Sequence, residues 1–227
     1  MRSSHQVTLN LHGLGTPPSD IPLEEVNYWL PVGLFIEILE RVAHRPTVRL
    51  TFDDGNMSDF EVALPEIAKR GFHAEFFVLA GRIGKAGYLG GSEMREMLAA
   101  GMGIGLHGMA HRSWADCGAA ELDVEVDAAR REIEAIAGRS VVRAACPFGA
   151  YNARCLRRLR QSGFERVYTS DGGVAKEGEW LQCRNTLQRH HRIEDVEALI
   201  EHPPVGLRDL SRRFRTFVRS KRGGGLS

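Results

Sequence analysis

No run of about 18 apolar residues occurs in this chain, so the sequence offers no candidate membrane-spanning helix. Cysteine is scarce. The four present, Cys117, Cys146, Cys155 and Cys183, form no CxxC pair, which excludes a zinc knuckle and a thioredoxin-like motif. Charge imbalance is missing as well. With 30 Lys and Arg against 29 Asp and Glu, the net charge of +1 gives no basis for nucleic-acid binding. The opening residues, MRSSHQVTLNLHG, carry neither an apolar signal core nor a small-residue cleavage site. The expectation from these absences is a cytoplasmic protein with reduced thiols. Repeats, low-complexity tracts and obvious linkers are also lacking.

What is present is enough apolar material, 43% of 227 residues, for one large core. Short apolar runs alternate with amphipathic segments. The runs predict strands at Val7–Leu11, Val48–Phe52, His73–Leu79, Ile104–Leu106, Val141–Ala145 and Arg166–Thr169. Helical patterns fall between them, at Asp59–Arg70, Ser92–Ala100, Asn152–Gln161 and Ile193–Glu201. In a further helix, Leu122, Val126, Ala129, Ile133 and Ile136 share one face, and Gly138 is the expected C-terminal cap. This alternation predicts an α/β fold with a mostly parallel, barrel-like sheet. Chemistry in such folds gathers at the C-terminal ends of the strands.

Three polar motifs fall at those ends. The strand Val48-Arg-Leu-Thr-Phe52 runs into Asp53-Asp54-Gly55. Adjacent carboxylates repel and call for a cation, and successive strand side chains face opposite ways, so one can ligate a metal while the other handles a proton. A plain polar turn is the alternative. Next, His107-Gly-Met-Ala-His111 follows Ile104–Leu106. Residues four apart on a helical turn can reach one ion. Among nine His a chance pair at this spacing is expected about 0.3 times, so the pair gains weight only from its company. One carboxylate and two imidazoles leave positions open, as catalytic metal sites do. Third, Cys146-Pro-Phe-Gly-Ala-Tyr151 makes a tight turn whose backbone N–H groups can face an oxyanion, with Phe148 and Tyr151 available to wall a sugar. A loop with packed aromatics is the alternative there.

In this order the motifs resemble those of the polysaccharide deacetylase family, also called the NodB-homology or carbohydrate esterase 4 family. The match rests on Thr51-Phe-Asp-Asp-Gly55, His107-Gly-Met-Ala-His111 and Pro147-Phe-Gly-Ala-Tyr151, and it extends over Gly71–Val78 and Gly101–His107. The resemblance implies a distorted (β/α) barrel and hydrolytic removal of acetyl from an N-acetylated saccharide. It implies Asp53 as general base, Asp54, His107 and His111 as ligands of zinc or a similar ion such as cobalt or nickel, and the Phe148 N–H as an oxyanion donor.

The chain departs from the family pattern in three places. An Arg usually stands two residues before the motif's proline, where this chain has Ala145; Arg184 is the expected replacement. Asp171 is followed by Gly172 rather than Trp, and His190 lies in polar surroundings where the family places an acid at the end of an apolar run. His190 and Asp171 are nevertheless the expected general acid and its partner. His12-Gly13, after the first strand, is either part of the site rim or a turn.

The expected organisation is a single domain over residues 1–227, with a recognisable core from about 46 to 185 and a basic amphipathic helix from about 206 to 222. That helix packs on its own domain or touches an anionic membrane. Two other readings of the same residues stay open: deacylation of a non-carbohydrate amide, and a glycan- or metal-binding protein without turnover.

Overall fold

A computed structural model describes residues 5–19 and 21–202. The expected basic helix near the C-terminus lies outside these residues. Among the described residues nine strands form one sheet in the order β7-β1-β2-β3-β4-β5-β6-β8, with β9 pairing β1. The strands are β1 (His5–Leu11), β2 (Val48–Asp54), β3 (Ala74–Leu79), β4 (Gly103–Gly108), β5 (Arg143–Ala145), β6 (Arg166–Thr169), β7 (Val174–Lys176), β8 (Leu181–Cys183) and β9 (Asn185–Thr186). Every pairing is parallel except β1 with β7. Since β8 lies beside β6 and β9 beside β1, the chain crosses the seam within a few residues and nearly closes the barrel. Arg184 is the residue between them.

The helices are α1 (Leu23–Val26), α2 (Val32–Val42), α3 (Leu64–Lys69), α4 (Gly91–Ala99), α5 (Ala119–Leu122), α6 (Ala129–Ala137), α7 (Ala153–Gln161) and α8 (Ile193–Glu201). Strands β2 and β3 are buried along almost their whole length, as expected of a sheet covered on both faces. Inside and between the layers, Leu9, Leu11, Phe35, Phe52, Phe76 and Leu106 are fully buried.

Local chemistry explains several boundaries. Asn152 caps α7 by accepting from the amides of Arg154 and Cys155 at 3.0 and 3.1 Å. Gly138 ends α6 with φ of 69°, the left-handed cap expected from the sequence. Helix α4, by contrast, does not take the expected Ser92 as its N-cap: the cap lies two residues earlier at Gly90, whose amide donates to Glu93 Oε2 at 3.0 Å. Two helices open with a π-helical turn, Asp59–Ala63 before α3 and Asp123–Ala128 before α6. Both turns adjoin the motif end of the barrel.

Candidate metal and catalytic centre

At the C-terminal ends of β1, β2 and β4 a cavity of about 430 Å³ opens, lined by His12, Asp53, Asp54, His107, His111 and Phe148 among others. Its outer wall comes from the segment after β1: Glu24 and Glu25 of α1, then Tyr28 and Trp29. Trp29 lies so close to Gly13 that a Cβ there would sit 2.1 Å from its ring, so only glycine admits this wall.

Asp53 is 3% exposed and held on all sides. Arg184 donates from Nη1 to Oδ1 at 2.7 Å and from Nη2 to Oδ2 at 2.8 Å, a bidentate pair. Asn10 adds a bond from Nδ2 to Oδ2 at 2.9 Å. Arg184 Nη1 also donates to Asn10 Oδ1 at 2.7 Å, and Thr51 donates to the same oxygen at 2.8 Å. The guanidinium lies over the rings of Phe77 and Tyr168, 5.4 and 5.8 Å from their centroids. Ala145 packs with those two rings, so the small residue where the family has Arg belongs to the bed under Arg184. Burial opposes the charge on Asp53, but the Arg184 guanidinium, with His107 and His12 adding to its pull, holds the carboxyl well below the usual range.

Asp54 is in the opposite condition. Its φ is 78°, in the left-handed region, which swings the carboxylate away from Asp53 and toward the histidines. Oδ1 is buried without a hydrogen bond, 3.5 Å from His111 Nε2 and 3.7 Å from His107 Nε2. Burial pushes its pKa up to about 6, with Asp53 adding to the rise and His12 opposing it. His107 donates from Nδ1 to the carbonyl of Ala145 at 2.9 Å, which fixes Nε2 as the free face. Burial holds His107 neutral, with a pKa lowered to about 3, and lowers that of His111 too.

The two histidines do not share a helical turn, as their spacing had suggested. His107 is on β4 and His111 on the following loop, with φ of 57° after Gly108 at 110°. Buried Glu125, in the second π turn, accepts the amides of Met109 at 3.0 Å and Ala110 at 3.1 Å, and so folds the loop back. The ligand atoms of Asp54, His107 and His111 still lie within 4.8 Å of one another. An unsatisfied buried carboxylate oxygen facing two free imidazole nitrogens fits a divalent cation.

The remaining expected residues are distributed unevenly. Phe148 is 66% exposed at the mouth, with φ of 57°, its ring 4.4 Å from that of His111. The amides of Gly149 and Ala150 are used within that turn. Tyr151 is buried and donates to Asp171 Oδ2 at 2.7 Å, and Thr169 donates to the same oxygen at 2.9 Å. Neither Tyr151 nor Asp171 is among the residues lining the cavity. His190 is exposed, stacks on His191 at 4.5 Å and is likewise apart from the lining. At that rim the chain presents Gln188 instead.

His12 carries what the sequence left open. Its Nε2 is 4.0 Å from Asp53 Oδ2, its ring lies 4.9 Å from that of Tyr28, and its buried Nδ1 lacks a partner. Burial lowers its pKa, against the pull of Asp54 and Asp53. A His at the end of the first predicted strand was the available signal. Nothing in the sequence marked Asn10 or Glu125.

Residues 40–167, more than half of the chain, match the family model described as polysaccharide deacetylase, and the chain belongs to that family. YxkH of Bacillus subtilis (strain 168), which carries the same family name, is 24% identical over 141 residues, 62% of this chain and 50% of YxkH. The chain therefore spans about half the length of that relative. Among solved structures, the Streptococcus pyogenes deacetylase PplD in complex with acetate superimposes with a TM-score of 0.77 at 19% identity, covering 87% of this chain and 99% of PplD. IcaB from Ammonifex degensii gives 0.68 at 23% identity over 80% of this chain and 91% of IcaB. These likenesses agree on the nearly closed, mostly parallel barrel.

Proposed function

We propose that this chain is a metal-dependent hydrolase that removes an acetyl group from an N-acetylated sugar of a polysaccharide or glycan intermediate. The observation that carries the reading is the pairing of opposites at one strand end: Asp53 clamped by Arg184, and Asp54 Oδ1 unsatisfied between two imidazoles. A binding site alone has no use for both. Asp54, His107 and His111 would hold the ion, zinc or a similar one such as cobalt or nickel. Such an ion supplies polarisation of the amide carbonyl and of the attacking water.

The chain's own residues supply the rest. Asp53 takes the proton of the attacking water, with Arg184 and Asn10 aiming its carboxylate. The backbone N–H of Phe148 is the candidate donor to the developing oxyanion, and the exposed Phe148 ring offers a face to the sugar. Collapse of the tetrahedral species breaks the C–N bond, and the leaving nitrogen needs a proton. His12 is placed to deliver it. Neutral at rest, it lines the cavity 4.0 Å from Asp53 Oδ2, and an approach of roughly 1 Å would let it accept the proton Asp53 collected and pass it on. In this assignment His190 has no proton to move, while Asp171 and Tyr151 brace the turn that carries Phe148.

Asp53→Asn separates the two roles. It should retain bound metal while acetate release falls by about 10²–10⁴-fold. Turnover near the unaltered rate would remove Asp53 as the base.

A further inference from the structure

Glu25 lies outside the stretch matched by the family model, on the four-residue helix α1. Its Oε1 is 3.6 Å from Arg82 Nη2 and 3.9 Å from His111 Nδ1. The other ring nitrogen of His111, Nε2, faces Asp54 Oδ1. His107 shows the same arrangement complete, with Nδ1 bonded to the Ala145 carbonyl and Nε2 turned to Asp54. A histidine that ligates through Nε2 keeps its proton on Nδ1 and needs an acceptor there, and such acceptors orient the ring and raise its basicity.

We propose that Glu25 is the positioning residue of His111. Its carboxylate accepts the Nδ1 proton, selects the tautomer whose Nε2 lone pair points at Asp54, and so tightens metal binding. The proposal rests on the metal centre proposed above. Arg82 completes the device: Nη2 pairs with Glu25, and the buried, unbonded Nη1 lies 3.9 Å from Asp54 Oδ1. One guanidinium thereby ties the carboxylate behind His111 to the carboxylate in front of it. An approach of roughly 1 Å brings Glu25 into hydrogen-bond range. Helix α1 buries none of its own residues, so core packing does not fix it at the present distance.

The test uses the full chain with zinc as the probe, in wild type, Glu25→Ala and Glu25→Gln. Zinc affinity is read by competition with a chromogenic chelator. The His111 tautomer is read from imidazole ¹⁵N shifts of the metal-free protein, at a pH where the rings are neutral. Glu25→Ala should weaken zinc binding by about 10–100-fold and mix the His111 tautomers, with Glu25→Gln, whose amide oxygen still accepts, in between. A His111 tautomer in Glu25→Ala identical to wild type overturns the proposal, whatever the affinity. Failure of wild type to bind zinc would strike at the metal centre instead, and the metal-free spectra would still decide the role of Glu25.

Discussion

At the scale of single residues, the centre is decided by how each carboxylate meets its own burial. Asp53 and Asp54 are neighbours in sequence and both nearly inaccessible, yet one has three side-chain hydrogen bonds and the other has an oxygen with none. The motif Thr51–Gly55 told where they would stand but not which cation would answer them. Arg184 was an expectation drawn from a gap at Ala145, and the two positions meet at the same pair of rings. Replacing Arg184 with Ala would leave Asp53 buried and uncompensated. We expect a loss of about 3–5 kcal/mol in urea unfolding, together with a fall in rate at unchanged metal content. A variant as stable as wild type would mean that Asp53 is satisfied by other groups.

The proton donor proposed above was less legible. His190 had the spacing of a family motif and His12 had none. Proximity to Asp53 is set by which strand neighbours β2, a long-range fact that a local pattern does not contain. His12→Ala should lower kcat by about 10²–10⁴-fold, whereas His190→Ala should stay close to wild type, and steady-state assays of the two side by side decide between them.

At the scale of elements, most pieces with an uninterrupted pattern were readable and the shortest strands near the seam were not. Helix α8 and strand β6 have the expected limits, because an uninterrupted pattern spans each. Strands β7, β8 and β9 hold three, three and two residues, too few for any alternation to register. Helix α2 is different: Phe35, Ile38, Leu39 and Val42 form a readable buried stripe that the sequence reading passed over. The π turns were also invisible in sequence, and each carries a buried acid. Glu125 is satisfied by the His107–His111 loop. Asp59 is not: both carboxyl oxygens are buried without a hydrogen bond, and burial, followed by repulsion from Asp54 and Asp53, raises its pKa well above 3.8. A carboxyl raised in the folded state binds more protons there than when unfolded, so its cost grows as pH climbs above about 4. Asp59→Asn should therefore raise the melting temperature at pH 7–8, with the gain shrinking toward pH 4. A gain of equal size at both pH values would contradict this account of Asp59.

At the scale of the whole molecule, barrel closure and the centre are one construction. The seam is crossed between β8 and β9, and the residue at the crossing is the one that clamps Asp53. The proposed ligands of the ion come from β2, β4 and the loop after it, the clamp from the seam, and the outer wall from the segment between β1 and α2. Strand–helix alternation made the fold class legible, but the seam depends on contacts between residues more than a hundred apart, such as Arg184 with Asp53 and Leu9 with Asn185. Among the described residues no helix is long and apolar enough to cross a membrane.

The measurement that tests the central claim most directly is acetate release from N-acetylated oligosaccharides by zinc-reconstituted protein. Metal content is determined on the same sample, beside a chelator-treated sample and Asp54→Ala. The account predicts acetate and free amine in equal amounts from the reconstituted protein alone, with metal lost from both controls. Equal release after chelation, or bound metal with no release from any N-acetylated saccharide, would contradict it.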